Sequence, residues 1–267
     1  MRWILRSAKL RELGMYAALA TLLMSAIPCS LAQAAHREVH VAAAADLQSV
    51  MPALAEAFEH ATGIKLIVSY GSSATLAEQI LNGDPADLFL AADYSFPEKV
   101  VARGLADMPA PVAYARGTLV LWARKDSPVQ PLTQNTLREG KFTSLAIANP
   151  EHAPYGRAAV SALMWIKVYD TLKPKIVEAE NVVQAAQFVE SGNAQLGLIS
   201  LTTASTGHMK EVGSFVRMPL VTYPPIRQCA VVMKKSEHRA DAHAFLDWLL
   251  SRPIQRNLTQ YGLDPIP

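Results

Sequence analysis

Apolar residues along this chain alternate between two rhythms. Short continuous apolar runs read as buried strands, and longer stretches with a 3.6-residue period read as helices. Residues 39–45 are the first such strand. Leu47, Val50, Met51, Leu54, Ala55 and Phe58 then recur on one helical face, and Thr62-Gly63 stops that helix. Residues 65–70 form the next strand. A helix over 75–81 turns Leu76, Ile80 and Leu81 inward and ends at Asn82-Gly83. A third strand over 88–92 leads to a helix over 97–102 that Gly104 terminates. This order predicts an α/β fold with a parallel sheet and helices on both faces.

The rhythm then repeats. Residues 112–124 are apolar, broken by Arg116-Gly117, with a strand over 119–123. A second unit follows: strand 145–148, turn 149–156, helix 158–169, helix 182–190, strand 196–201. Strand 228–233 and helix 240–250 close the chain. Extended crossings near 115–118 and around Pro219 and Pro224-Pro225 join the two units. The expected division is a lobe of residues 35–115 with 224–267 and a lobe of 116–223, with a cleft between them.

Two strand ends carry the chemistry. One reads Ala43-Ala44-Ala45-Asp46-Leu47, the other Tyr70-Gly71-Ser72-Ser73-Ala74-Thr75. Each runs from an apolar strand into a small-residue turn expected to open a helix. A helix N-terminus leaves about four N–H groups unpaired and carries roughly half a positive charge. Two such ends facing one crevice would hold a small anion. Ligands of such sheets bind beyond the C-terminal strand ends, where both turns lie.

The first 34 residues read differently. Arg2, Arg6, Lys9 and Arg11 precede an apolar run over 15–27, and Ala32-Gln33-Ala34 fits a cleavage site. That is the layout of a secretory signal peptide, with Ala35 as the mature start. Without it the chain keeps 21 basic and 22 acidic residues, net −1. No basic field remains to attract nucleic acid. Pro28 beside Cys29 argues against a lipidated cysteine, and Cys229 in an apolar run reads as a buried thiol. The sequence contains no G-x-S-x-G, H-E-x-x-H, Walker A or G-x-G-x-x-G motif, and its seven histidines are scattered. A binding protein fits better than an enzyme, with no cofactor and no direct metal ligands.

Several segments together resemble the periplasmic molybdate-binding protein family of ABC transporters. They are Ala43-Ala44-Ala45-Asp46-Leu47, Ser72-Ser73-x-Thr75-Leu76-Ala77-x-Gln79-Ile80 and Gly83-x-Pro85-Ala86-Asp87-Leu88-Phe89-Leu90-x-Ala92-Asp93. Downstream come Asn149-Pro150-Glu151-His152-x-Pro154-x-Gly156, Glu180-Asn181-Val182 and Gly192-Asn193-Ala194-x-Leu196-Gly197. The resemblance covers the whole chain after residue 34. It implies the two-lobed type II solute-binding fold, each lobe a mainly parallel sheet flanked by helices, closing by hinge motion on a ligand in the interlobe cleft. It also implies a periplasmic monomer that captures molybdate, and tungstate alongside, for a cognate permease in the inner membrane.

By the same resemblance, Ser73 gives an N–H and a hydroxyl to the oxyanion, and Tyr155 and Val182 give backbone N–H groups. The side-chain identity of those two would then matter less. Two positions depart from the family. Ser200 stands where some members have a tyrosine that reaches the oxyanion. Asp46 stands where the best-known members have a ligand serine, and a carboxylate beside a dianion is repulsive. Three readings stay open at Asp46. It caps its own helix and offers only its N–H; it or the anion is protonated and they share a hydrogen bond; or the ligand is another anion, such as sulfate, phosphate or an organic acid. A secreted hydrolase or lyase on the same fold is a further alternative, and a His152 beside Ser73 would favour it.

Overall fold

A computed structural model of the protein describes residues 37–266. The expected signal peptide, its cleavage site and Cys29 lie outside these residues. Among them, no helix is long and apolar enough to cross a membrane.

Two sheets organise the chain. The first contains β1 (Arg37–Ala44), β2 (Ile64–Gly71), β3 (Leu88–Ala91), β4 (Val112–Gly117), β10 (Ile226–Val232) and β11 (Leu263–Asp264), in the order β11-β4-β10-β3-β1-β2. The second contains β5 (Leu119–Arg124), β6 (Leu145–Ala148), β7 (Ile176–Ala179), β8 (Leu196–Ser200) and β9 (Gly213–Arg217), in the order β7-β6-β8-β5-β9. In each sheet, three neighbouring strands are parallel: β2, β1 and β3 in one, β7, β6 and β8 in the other. The remaining strands pair antiparallel. This is the two-lobed type II α/β architecture.

Covering both faces of the first sheet explains its continuous apolar strands. Val39, Val41, Ala43, Leu88, Leu90, Ala230 and Val232 pack towards the helices Met51–Thr62 and Arg239–Leu250. Ala42, Phe89, Ala91 and Val231 alternate to the other face, against Ser73–Leu81 and Ser95–Ala102. Gly63, Gly83 and Gly104 adopt the positive φ their helix ends require.

Three differences from the expected elements bear on function. The Asp46 turn does not open an α-helix. Ala45–Leu47 forms a short 3-10 turn, and the helix begins only at Met51, with Pro52 in its first turn. In the second lobe the helix starts earlier than expected, at Pro154, and runs to Trp165. Proline presets the first turn, so Tyr155 and Gly156 are helical. Finally, Arg116 and Gly117 are not a break, because they pair with β10 and β11 inside β4. The chain therefore crosses to the second sheet at Thr118 and returns between Arg217 and Ile226.

Gly156 fixes the Pro154–Trp165 helix against the end of β6. A Cβ there would lie 2.2 Å from the Ala148 carbonyl oxygen and 2.8 Å from Asn149 backbone atoms. Backbone cannot yield as a side chain would. Gly156→Ala should lower stability by roughly 1–3 kcal/mol, read as an earlier thermal unfolding midpoint. An unchanged midpoint would mean that the helix can lift off the strand at little cost.

Candidate functional site

Three α-helices begin at one crevice between the sheets. It occupies about 200 Å³ including its open mouth. Gly71, Ser72 and Ser73 line it from the start of Ser73–Leu81, and Ala153, Pro154 and Tyr155 from the start of Pro154–Trp165. Asn181 and Val182 line it from the start of Val182–Glu190, and the Ala44–Asp46 turn and Ala92 complete it.

Which amides remain for a ligand follows from how each helix is capped. At the first helix, Ser72 Oγ accepts from Thr75 N–H at 3.1 Å, and the His152 carbonyl accepts from Ala74 N–H at 3.1 Å. Leu76 N–H returns to the Ser72 carbonyl, which leaves the Ser73 N–H. At Val182–Glu190, Asn181 Oδ1 accepts from both Val183 and Gln184, each at 3.0 Å, and leaves the Val182 N–H. At Pro154–Trp165 the N-cap Ala153 has no side chain to accept, and Pro154 has no N–H. Tyr155 and Gly156 amides remain. The Ser73 hydroxyl accepts from Ala92 N–H at 3.1 Å, so its own proton is free to point elsewhere.

Asp46, Ser73, Tyr155 and Val182 thus come together. Ser200 does not line this crevice. It is fully buried at the N-cap of Leu201–Ala204, accepts from Thr203 N–H and Thr202 Oγ1, and donates to Thr203 Oγ1 at 2.9 Å. A shorter side chain than tyrosine has been taken up by local capping.

Asp46 is not a cap either. Its turn has Ala44 at the N-cap and no side-chain cap bond. The carboxylate is 1% exposed, and Oδ2 accepts from the Tyr155 hydroxyl at 3.1 Å and from Gln228 Nε2. Oδ1 is buried and accepts no hydrogen bond from the described residues. Burial pushes the Asp46 carboxyl up to about 7, against the opposing pull of the Tyr155 and Gln228 hydrogen bonds and of its own backbone N–H. The Tyr155 side chain thus has a structural partner that the resemblance did not imply. It reaches across the cleft, with its hydroxyl against Gly117, where a Cβ would lie 2.2 Å away.

Other contacts join the lobes outside the crevice. Arg157 pairs with Asp93 and lies over the Phe96 ring at 5.2 Å. His152 contributes its backbone carbonyl; its side chain is exposed and makes no hydrogen bond to Ser73. Cys229 is fully buried, and burial raises its thiol to about 11. Among the described residues no group of three or more His, Cys, Asp or Glu could hold a metal ion. Sequence reasoning missed Gln228 and Arg157. A polar residue inside the apolar run of β10 was the available signal for Gln228. The strand register shifts between Gln228 and Cys229, a bulge of the kind that re-aims a side chain.

Comparison with known proteins identifies the family. Residues 39–264 match the family described as bacterial extracellular solute-binding protein. The chain is 39% identical to the molybdate-binding protein ModA of Azotobacter vinelandii, covering 86% of this chain and 90% of the relative. It is 34% identical to that of Rhodobacter capsulatus, covering 86% and 89%. The solved periplasmic molybdate-binding protein of A. vinelandii superposes with a TM-score of 0.80 at 32% identity, over 86% of this chain and 99% of that one. More distantly, an aconitate isomerase from a Pseudomonas species is 23% identical over 94% of this chain and 96% of its own. The chain belongs to the bacterial extracellular solute-binding proteins, in the family of the molybdate-binding protein ModA.

Proposed function

We propose that this protein captures a tetrahedral oxyanion, molybdate first and tungstate alongside, in the interlobe crevice. It works in the periplasm and delivers the anion to the permease of an ABC transporter. One observation carries the reading: capping leaves the amides of Ser73, Tyr155 and Val182 as the free N–H groups of three helix ends lining one small crevice. Asp46 is the one ionisable carboxylate or cation among its lining residues. Neutral donors at helix N-termini hold an anion without a counter-charge, through charge-assisted hydrogen bonds in a water-poor site. No bond is made or broken.

The two lobes hinge at the crossings through Thr118 and through 218–225. Arg157, Asp93 and Phe96 then act as a latch that favours the closed form. Relatives named as molybdate-binding proteins support this ligand. The buried carboxyl of Asp46 keeps a second reading alive, in which another small anion is preferred. The hydrolase or lyase alternative lacks its support, since the His152 side chain turns to solvent.

Calorimetric titration of the ligand-stripped protein should give one-to-one molybdate binding that survives excess sulfate and yields to tungstate. Sulfate, phosphate or an organic acid binding more tightly than molybdate would replace the ligand named here. Ser73→Ala removes the hydroxyl and should weaken molybdate binding by roughly 1–3 kcal/mol, the range for a hydrogen bond to a charged group. Equal affinity would take the hydroxyl out of the ligand's contacts. Arg157→Ala should cost about 0.5–1 kcal/mol of affinity, because a half-exposed ion pair is screened. The loss should appear in the dissociation rate. Stopped-flow traces with unaltered dissociation would show that the pair does not hold the lobes closed.

A further inference from the structure

We propose that the protein takes up its anion together with one proton, held on Asp46 Oδ1 and donated to an oxygen of the bound anion. This rests on the oxyanion reading of the crevice.

The geometry points to that oxygen. Oδ2 already accepts twice, from Tyr155 and from Gln228. Oδ1 has no partner, is buried, and belongs to a residue that lines the crevice. A buried acceptor without a donor is costly, and so is an ionised carboxylate against a dianion. A proton on Oδ1 removes both costs. The orphan oxygen becomes a donor, and the anion gains one more hydrogen bond. Tyr155 and Gln228 hold the carboxyl plane so that the proton has a defined direction.

Among the described residues no charged group offsets the burial of Asp46, and Arg157, on the helix of Tyr155, is engaged by Asp93. The titratable groups facing Asp46 are the phenols of Tyr155 and, from β4, Tyr114, both held well above their ordinary range by burial. Of the elements packed against its turn, β2 carries Tyr70 and Lys65, and Lys65 lies at the far end of the strand beside Glu38. Glu190, at the far end of Val182–Glu190, pairs with His208, and Leu201–Ala204 has no titratable side chain. On β10, Cys229 stays a neutral thiol and Arg227 is exposed. Burial, with no cation to offset it, holds the Asp46 carboxyl near 7, and a bound dianion raises it further.

The step is a binding equilibrium: carboxylate, proton and dianion combine into a neutral carboxyl hydrogen-bonded to the dianion. Above pH 7 the free protein must collect that proton on binding. Below about pH 6 it already holds it. Affinity should therefore be flat at low pH and fall towards ten-fold per pH unit above 7.

Molybdate titrations of the wild-type protein at pH 6 and pH 8, in buffers of different ionisation enthalpy, measure the proton count. Expected is uptake approaching one proton at pH 8 and little at pH 6. Asp46→Asn should bind molybdate more tightly than wild type at pH 8, with no uptake, because its amide is a permanent donor. Ligand-free unfolding gives a separate readout. The raised carboxyl means that the native state keeps a proton the unfolded chain has lost. Wild-type stability should therefore fall relative to Asp46→Asn as pH rises from about 4 to 7, and then level off. Molybdate binding at pH 8 without proton uptake overturns this proposal and leaves the oxyanion reading standing. No molybdate binding at either pH overturns both.

Discussion

The site depends on how each helix disposes of the backbone N–H groups in its first turn. A helix start is a liability wherever it is buried, because its amides need partners. Here caps satisfy some of them and leave others pointing at one place. Asn181 takes Val183 and Gln184 but not Val182. Ser72 takes Thr75 but not Ser73. Pro154 removes one donor and Ala153 offers no acceptor, so Tyr155 and Gly156 are left. The donors are thus selected by neighbouring residues rather than by their own side chains. They are also rigid, since each sits on a helix docked against a sheet, and preorganised dipoles need not reorganise when an anion arrives.

A buried carboxyl inside a ring of helix N-termini looks contradictory until its hydrogen bonds are followed. Asp46 belongs to the first lobe and Tyr155 to the second, so their bond joins the two lobes. Gln228, on β10, supports the same oxygen from the first sheet. The orientation of the carboxyl and the placement of the Tyr155 backbone are therefore coupled. Tyr155 hydroxyl and Tyr155 N–H lie on the same residue, and pulling on one moves the other.

Much of this was legible in the sequence. Apolar runs located the strands because both sheet faces are covered, and glycines marked helix ends because they adopt positive φ. The resemblance pointed to Ser73, Tyr155 and Val182, and the structure brings them to one crevice. Three things were not. The 3-10 turn at Asp46 depends on Pro52 delaying the helix. The roles of the Tyr155 and Gln228 side chains depend on contacts across 109 and 182 residues of sequence, which no local pattern encodes. Ser200 had the right chemistry, but Thr202 and Thr203 engage its hydroxyl.

Neutral donors cannot by themselves distinguish one tetrahedral dianion from another, since each offers four similar oxygens. On the oxyanion reading, distinction would come from the distance between the donors on the two lobes, which contacts between the lobes set. Gly117, the last residue of β4 before the crossing, leaves room for the Tyr155 hydroxyl that any side chain would fill. Asp93 and Phe96 receive Arg157 on the far side, and the His152 carbonyl meets Ala74 beside Ser73. Each contact joins the two lobes. On the oxyanion reading, a residue that never touches the anion would change which anion fits, by changing how near the two lobes stand.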